Sequence, residues 1–312
     1  MSKLYKYLRA DLFDLVFQHP DKISLRASKP IEFNDPFELF LGIDTVDIRQ
    51  DVLAYYQEIV SFLPQYPTIC FAKSPVIIPM WAHYARESTG FVVEFDEQLL
   101  ATTHADLVFD DVEYSSNPVS MDSTEIGQAF GTGKPRYTYF INRKAYHAAY
   151  FTKSEYWRYE QERRMVIQGD NTIAKGGISL LEIPVNCVSA VIIGPKADPK
   201  FSETAMSRIN ESGIPVYMLH IGRSSISPFM VTADGNTYIF DGSSLAVVEK
   251  CCAKCKEPLT GTNIRFCHWC SMDEVLKNKA RDRNPIRALA SLGMLKEYSE
   301  GMERIAKRNT TP

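Results

Sequence analysis

Glu160 and Glu162 stand two residues apart in Tyr156-Trp157-Arg158-Tyr159-Glu160-Gln161-Glu162-Arg163-Arg164-Met165-Val166-Ile167, where an aromatic segment gives way to an apolar one. Met165-Val166-Ile167 reads as the start of a strand. If that strand runs back through Gln161, period-two alternation puts both carboxylates on one face. Like charges this close repel unless a cation sits between them or one pKa rises, and such pairs concentrate at sites of chemistry. The alternative is that Arg158, Arg163 and Arg164 pair with them on a solvated edge. Within this stretch alone, that arrangement is the commoner one.

The second chemical pattern is sulfur. Cys252-Ala253-Lys254-Cys255 and Cys267-His268-Trp269-Cys270 are two Cys-x-x-Cys knuckles with eleven residues between them, the spacing of a small zinc ribbon with tetrahedral sulfur ligation. Four thiolates close the coordination sphere, so the expected role is structural. Cys251 is a spare neighbour able to compete as a ligand, and His268 is expected to be exposed. Cys70 and Cys187 lie in apolar strand-like runs. This cysteine usage points to a reducing cytoplasm and a metal rather than to disulfides.

Around these groups, 312 residues with 45% hydrophobic content suit two domains, or one large domain with an appendage. The net charge of −3 is uneven. Residues 251–312 carry 12 Lys/Arg against 7 Asp/Glu, or +5, which leaves 23 against 31, or −8, for residues 1–250. A basic tail and the aromatic Trp269 lean toward a nucleic-acid partner. The first residues lack an uncharged apolar core and no apolar run approaches membrane-spanning length, so a cytoplasmic protein is expected.

Periodicity predicts strands at 3–7, 23–27, 68–73, 91–95, 178–184, 187–194 and 214–221, with helices at 47–62, from Pro79, and at 201–210. Asn34-Asp35-Pro36 signals a turn, and residues 115–135, rich in Ser, Gly, Pro and Thr, read as a long loop. From Arg136 to Arg164 aromatics and cations interleave. Tyr146 and Tyr150 share one helical face and Arg143 and His147 another, so one side could pack while the other meets an anion. An amphipathic helix with a solvated basic side is the simpler explanation. The body reads as strand-rich α+β without βαβ alternation.

Several separated pieces together resemble a widespread bacterial family catalogued only as a domain of unknown function. They are Leu4-Tyr5-Lys6-Tyr7, Phe33-Asn34-Asp35-Pro36-Phe37-Glu38, Cys70-Phe71-Ala72, Met80-Trp81-Ala82-His83-Tyr84-Ala85, and Lys153 with Trp157, Glu160 and Glu162. The resemblance covers roughly residues 1–230. That family in turn is similar to the ADP-ribosyltransferase fold, a split pair of small sheets gripping NAD in a cleft. The implied organisation is an α+β ADP-ribosyltransferase-like domain over 1–245, a zinc ribbon over 246–275 and a basic helical tail over 276–312.

The resemblance implies that Glu162 stabilises positive charge on the sugar as the nicotinamide–ribose bond breaks, while Glu160 orients or deprotonates the acceptor. It implies NAD contacts from Tyr5, Lys6 and Tyr7 on a first strand and from Ser74 after a middle strand. Tyr7, Tyr84 and Trp157 are candidates to hold the nicotinamide ring, Lys6 or Arg143 to meet the pyrophosphate, and Trp81 is a further cofactor-binding candidate. Lys6 replaces the family's Arg or His, and Ala72 stands where Ser is common. The expected activity is ADP-ribose transfer from NAD to nucleic acid, RNA favoured, or to protein, as in a toxin or phage-defence effector with a possible antitoxin. The alternatives are NAD hydrolysis, or a non-catalytic module that binds nucleic acid or protein. The expected metal is Zn, held by Cys252, Cys255, Cys267 and Cys270.

Overall fold

A computed structural model describes residues 2–35, 48–104, 106–116, 121–259, 261 and 265–309. Asp47, the expected first residue of the 47–62 helix, lies outside the described residues, as do Pro36, Phe37 and Glu38 of the 33–38 motif and residues 117–120 of the expected loop. The chain divides into two compact units, Met1–Val248 and Glu249–Pro312.

The first unit opens with β1 (Lys3–Leu8), α1 (Phe13–Val16), β2 (Lys22–Arg26), α2 (Gln50–Ser61), β3 (Thr68–Ala72), α3 (Ile78–His83), β4 (Phe91–Asp96) and α4 (Glu97–Thr103). Then come β5 (Leu107–Asp111), β6 (Glu113–Ser115), α5 (Ser123–Thr132), α6 (Pro135–Phe151), β7 (Thr152–Ser154) and β8 (Glu162–Ile167). It closes with β9 (Ile173–Lys175), β10 (Ile178–Pro184), β11 (Val188–Ile193), α7 (Pro199–Asn210), β12 (Val216–His220), β13 (Phe229–Val231), β14 (Thr237–Phe240) and β15 (Leu245–Val248). Where separate small sheets were expected, a mixed ten-stranded sheet runs in the order β15-β14-β13-β12-β11-β4-β1-β3-β8-β5, beside a three-stranded sheet β2-β10-β9 and the pair β6-β7.

Alternation on this sheet separates core from site. Leu4 and Leu8 of β1, Ile69 and Phe71 of β3, and Met165 and Ile167 of β8 belong to one apolar core shared with Ile23 and Leu25 of β2 and Leu181 and Ile183 of β10. Tyr5, Tyr7 and Ala72 belong to a second cluster with Met80 and Trp81 of α3. Of the residues of opposite phase on β3 and β8, Thr68, Cys70, Glu162 and Arg164 line a pocket instead, while Val166 packs with Tyr150 and Phe151. β1 and β4 pair over six residues, yet β1 and β3 pair only at Tyr5 and Ala72. The sheet is therefore nearly parted beside Lys6, whose ammonium reaches across to the Cys70 carbonyl at 2.8 Å.

The expected loop at 115–135 instead contains α5, started by the Asp122 side chain accepting from the Thr124 amide and closed at Gly133, which takes φ 60°. α2, α5 and α6 bury Val52, Tyr56, Ile126 and Ile141 in a core of their own. The β12 to β15 meander extends beyond the last strand expected in the body.

Between α3 and β4, Arg86, Glu87 and Ser88 take consecutive left-handed conformations, with φ of 47°, 58° and 69°. Gly90 closes this turn under the β1 backbone. A β-carbon there would lie 2.1 Å from the Leu8 carbonyl oxygen and 3.0 Å from that of Ala85, and both are main-chain atoms that cannot swing aside. Gly90→Ala is expected to destabilise the first unit by about 1–3 kcal/mol, as overpacking does in rigid interiors. A thermal melt within a degree of the parent would show that the turn relaxes freely.

The second unit holds the two cysteine knuckles, then α8 (Glu274–Asp282), α9 (Pro285–Ser291) and α10 (Leu295–Asn309). Its first unit boundary falls after β15, three residues later than the expected 245. Residues 260 and 262–264 of the ribbon and 310–312 of the tail lie outside the described residues. No helix among the described residues is long and apolar enough to cross a membrane.

Candidate functional site

Glu160 and Glu162 do meet, but not by strand alternation. Glu160 ends a 3-10 turn over Glu155–Glu160, Gln161 takes a left-handed conformation at φ 46° and ψ 50°, and the strand begins only at Glu162. The kink swings both carboxylates toward Lys153. Its Nζ lies 2.7 Å from Glu160 Oε2 and 3.3 Å from Glu162 Oε2. Neither group is on a solvated edge: Glu160 is 3% exposed and Glu162 4%. Of the three arginines that could have neutralised them, Arg158 pairs with Glu155, and Arg163 with Glu97 and Asp111. Only Arg164 joins the pair.

Arg164 is fully buried, and its Nε and Nη2 donate to Glu162 Oε1 and Oε2 at 2.8 and 3.2 Å. Its Nη1 donates to the Tyr150 carbonyl at 2.8 Å, and its guanidinium lies 5.1 Å from the centre of the Phe33 ring. Period-two counting from Glu162 puts Arg164 on the same face of β8, a signal available in the sequence. Lys153 is held by the short β6–β7 pairing, in which Tyr114 sits opposite it, and its ammonium lies 4.8 Å from the centre of the Trp157 ring. The Tyr114 hydroxyl accepts the Glu162 amide hydrogen at 2.8 Å, fixing where the strand starts. Tyr84, one residue beyond α3, donates its hydroxyl to Glu160 Oε1 at 2.6 Å.

These groups floor a pocket of about 240 Å³. Lys6, Arg26, Phe33 and Asp35 form other parts of its wall, with Cys70 between. Four cations, Lys6, Arg26, Lys153 and Arg164, and four acids, Glu32, Asp35, Glu160 and Glu162, thus converge with the Phe33 and Tyr84 rings where the sheet is nearly parted. Of the residues expected to contact NAD, Tyr5, Lys6, Tyr7 and Tyr84 line this pocket. Ser74 and Trp81 do not. Both are buried, the Ser74 carbonyl accepting from the Tyr7 hydroxyl and the Trp81 ring N–H donating to the Pro75 carbonyl, so they position the wall from behind. Trp157 backs Lys153 from outside the pocket lining, and Arg143 lines a different depression on α6. Lys153, Phe33, Arg26 and Tyr114 are functional candidates to which no role had been given, and Arg164, considered only as a neutralising neighbour on a solvated edge, is another.

The charges settle in a defined way. Burial alone would raise the Glu162 pKa, but the Arg164 and Lys153 charges outweigh it and bring it down to about 2. Burial, and then the Glu160 charge, push the Tyr84 phenol well above its ordinary value, so it stays a donor. Burial also raises the Cys70 thiol, keeping it protonated beside Glu162.

Because the folded pKa of Glu162 lies below its unfolded value of 4.5, the stabilisation is complete above pH 4.5 and is lost as pH falls toward 2. About 1.4 kcal/mol per unit gives a loss on the order of 3 kcal/mol across that window. Urea midpoints should fall more steeply there in the parent than in Glu162→Gln. Parallel curves would show that Glu162 titrates normally.

A domain described as a protein of unknown function, DUF2971, is found over residues 80–165. That interval holds Tyr84, Lys153, Glu160, Glu162 and Arg164, the floor of the pocket, while β1, β2 and the cysteine knuckles lie outside it. No curated protein and no solved structure matches the chain.

The second site is the sulfur cluster. The Sγ atoms of Cys252, Cys255, Cys267 and Cys270 all lie within 4.8 Å of one another, and those of Cys255 and Cys267 are 3.7 Å apart. Zinc–sulfur bonds of about 2.3 Å in a tetrahedron require sulfurs about 3.8 Å apart, so the cluster could hold a structural zinc ion. Burial raises the Cys252 thiol, yet backbone amides of Cys255, Cys267 and Lys254 outweigh this and lower it to about 6. Cys255 moves the other way, to about 12, through burial and its cysteine neighbours. A divalent ion in the cluster would favour the thiolate form of all four. Cys251 bridges to Pro258 instead of joining the four, and His268 is exposed.

Proposed function

We propose that the pocket binds NAD and that the protein is an ADP-ribosyltransferase acting on nucleic acid or protein. The observation that carries this reading is a pair of buried carboxylates, Glu160 and Glu162, joined by one lysine ammonium at the floor of a nearly parted sheet. Lys6 and Arg26 suit the phosphates, Phe33 and Tyr84 suit a flat ring, and the carboxylates suit ribose hydroxyls. The pocket volume of about 240 Å³ is below the usual range for a whole ligand, about 300–1,000 Å³. It therefore takes the nicotinamide riboside end, with the remainder along the rim near the half-exposed Arg26.

Glu162, held ionised by Arg164, stabilises the positive charge that develops on the ribose as the C1′–N bond breaks and nicotinamide leaves with the electron pair. Its acceptor positions are already contacted by Arg164, Lys153 and the Cys70 thiol. The longest of these contacts, Lys153 at 3.3 Å, is the one that a ribose 2′-hydroxyl displaces, and the ammonium keeps its tighter bond to Glu160. Glu160 accepts from Tyr84 and Lys153, and takes the proton of the acceptor nucleophile as that nucleophile bonds to C1′.

The test is incubation with labelled NAD and a bacterial lysate, followed by nuclease or protease. Transfer should fall about 10²- to 10³-fold in Glu162→Gln, assayed where that variant is still folded. Nuclease release of label assigns a nucleic-acid acceptor and protease release a protein. Free ADP-ribose formed without an acceptor would replace transfer by hydrolysis, and absence of both label and nicotinamide release would overturn the reading.

A further inference from the structure

The second depression, on the outer side of α5 and α6, holds about 590 Å³ and has no part in the chemistry above. Its character follows from α6. Residues 134–153 contain Lys134, Arg136, Arg143, Lys144 and Lys153 and no Asp or Glu, in a body of net charge −8. The helix packs through Ile141, Ala145, Ala148 and Ala149, all buried. Its outer side presents two adjacent rows at helical spacing, Tyr139-Arg143-His147 and Arg136-Phe140-Lys144. Tyr139 and Phe140 are 57% and 60% exposed, and their rings meet edge to face at 5.9 Å.

Burying neither ring in the three-helix core leaves two large aromatic faces in water, which costs free energy unless something covers them. The cations around them decide what that is. Lys144 pairs with Glu125 and His147 lies 3.5 Å from Asp110, while Arg143 has no ion pair among the described residues. An apolar protein surface would leave these charges poorly solvated, whereas a nucleic-acid strand satisfies both parts. Bases stack on aromatic rings and phosphates meet Lys and Arg. A duplex keeps its bases stacked on one another, so the fit is to a single strand, and unpaired, splayed bases are the usual target of protein recognition in RNA. The same helix ends at Phe151, two residues before Lys153 of the pocket, and Tyr139 lies twelve residues, about 18 Å of helix rise, upstream of it.

We propose that the Tyr139–Phe140–Arg143 face of α6 is a docking surface for single-stranded RNA. This deepens the reading above, on which it rests for the RNA's role as acceptor, by giving the acceptor a place to lie that leads along one helix to the Glu160–Glu162 pair.

The experiment is fluorescence anisotropy of a labelled twelve-nucleotide mixed-sequence RNA titrated with the full chain, with no NAD present, at 50 and 200 mM salt. An inactive pocket would not change this result, so binding and chemistry can fail separately. Tyr139→Ala/Phe140→Ala is expected to weaken binding at least tenfold, and Arg143→Ala to reduce the salt dependence. Both alter exposed side chains, and unchanged melting temperatures will confirm that they fold. Equal affinity of the double variant and the parent overturns the proposal, as does absence of binding at 50 mM salt. Equal affinity for the DNA strand of the same sequence overturns the choice of RNA. Sedimentation supplies the remaining outcome: a parent dimer that the double variant dissociates would assign the face to a second copy of the chain instead.

Discussion

Arg164→Met should lower the stability of the first unit by about 3–5 kcal/mol, the usual cost of removing one partner from a buried ion pair. Arg164 is fully buried and Glu162 4% exposed, so the carboxylate left behind cannot recover its hydration. Lys153 compensates only partly, since its shorter bond is to Glu160. The Tyr150 carbonyl also loses its Arg164 donor, which adds a buried acceptor without that partner. Glu162→Gln should cost less, because a neutral amide beside Arg164 still accepts one hydrogen bond. The double substitution should cost clearly less than the sum of the two, because neither unpaired charge remains. Urea unfolding of the four proteins measures this coupling. Additivity within about 0.5 kcal/mol would mean that the two side chains do not interact and that water reaches the cluster.

The same cluster shows how far the sequence could be read. The alternation of β3 and β8 was legible because apolar residues repeat with period two, and the Pro79 helix start was legible from local chemistry. Convergence of Glu160 and Glu162 was expected, but for a reason the structure replaces. Gln161 carries no local signal for a left-handed conformation, since that depends on Tyr114 holding the start of β8 from another part of the chain. Arg158, Arg163 and Arg164 are equivalent as neighbours of a Glu pair. Only the strand phase separates the buried Arg164 from its neighbours, and the strand boundary was the uncertain quantity.

The long-range pairings were not legible. The β1–β3 ladder pairing at Tyr5 and Ala72 joins residues 67 positions apart, and no periodicity reports it. α5 was hidden by a composition of Ser, Gly and Thr that suits loops. Its three-helix core decides the matter against local propensity. The strands after His220 were missed because they are three or four residues long, too short to establish a period.

Removal of the metal should unfold the ribbon outright. Among the described residues of the second unit only Cys252, Glu257 and Cys267 are buried, and α8 and α9 bury no residue. So small an interior cannot offset the conformational entropy of ordering the knuckles, and the ligation energy, about 10–16 kcal/mol for structural zinc in small peptides, has to supply the difference. Lys256 holds φ 65° immediately after the first knuckle, its amide donating to the Cys252 carbonyl at 2.9 Å. Treating the full chain with a strong chelator should release one zinc per chain, change the fluorescence of Trp269 and open Lys254, Lys256 and Arg265 to trypsin. Cys252→Ser should reproduce the loss without chelator, because three sulfurs and a hydroxyl hold zinc far less tightly. The melting transition of residues 1–248 should survive both treatments, since these residues form a compact unit with their own apolar cores. Trypsin protection that persists after the metal is gone would show that the knuckles are held by packing, and the assignment of a structural zinc would fall with it.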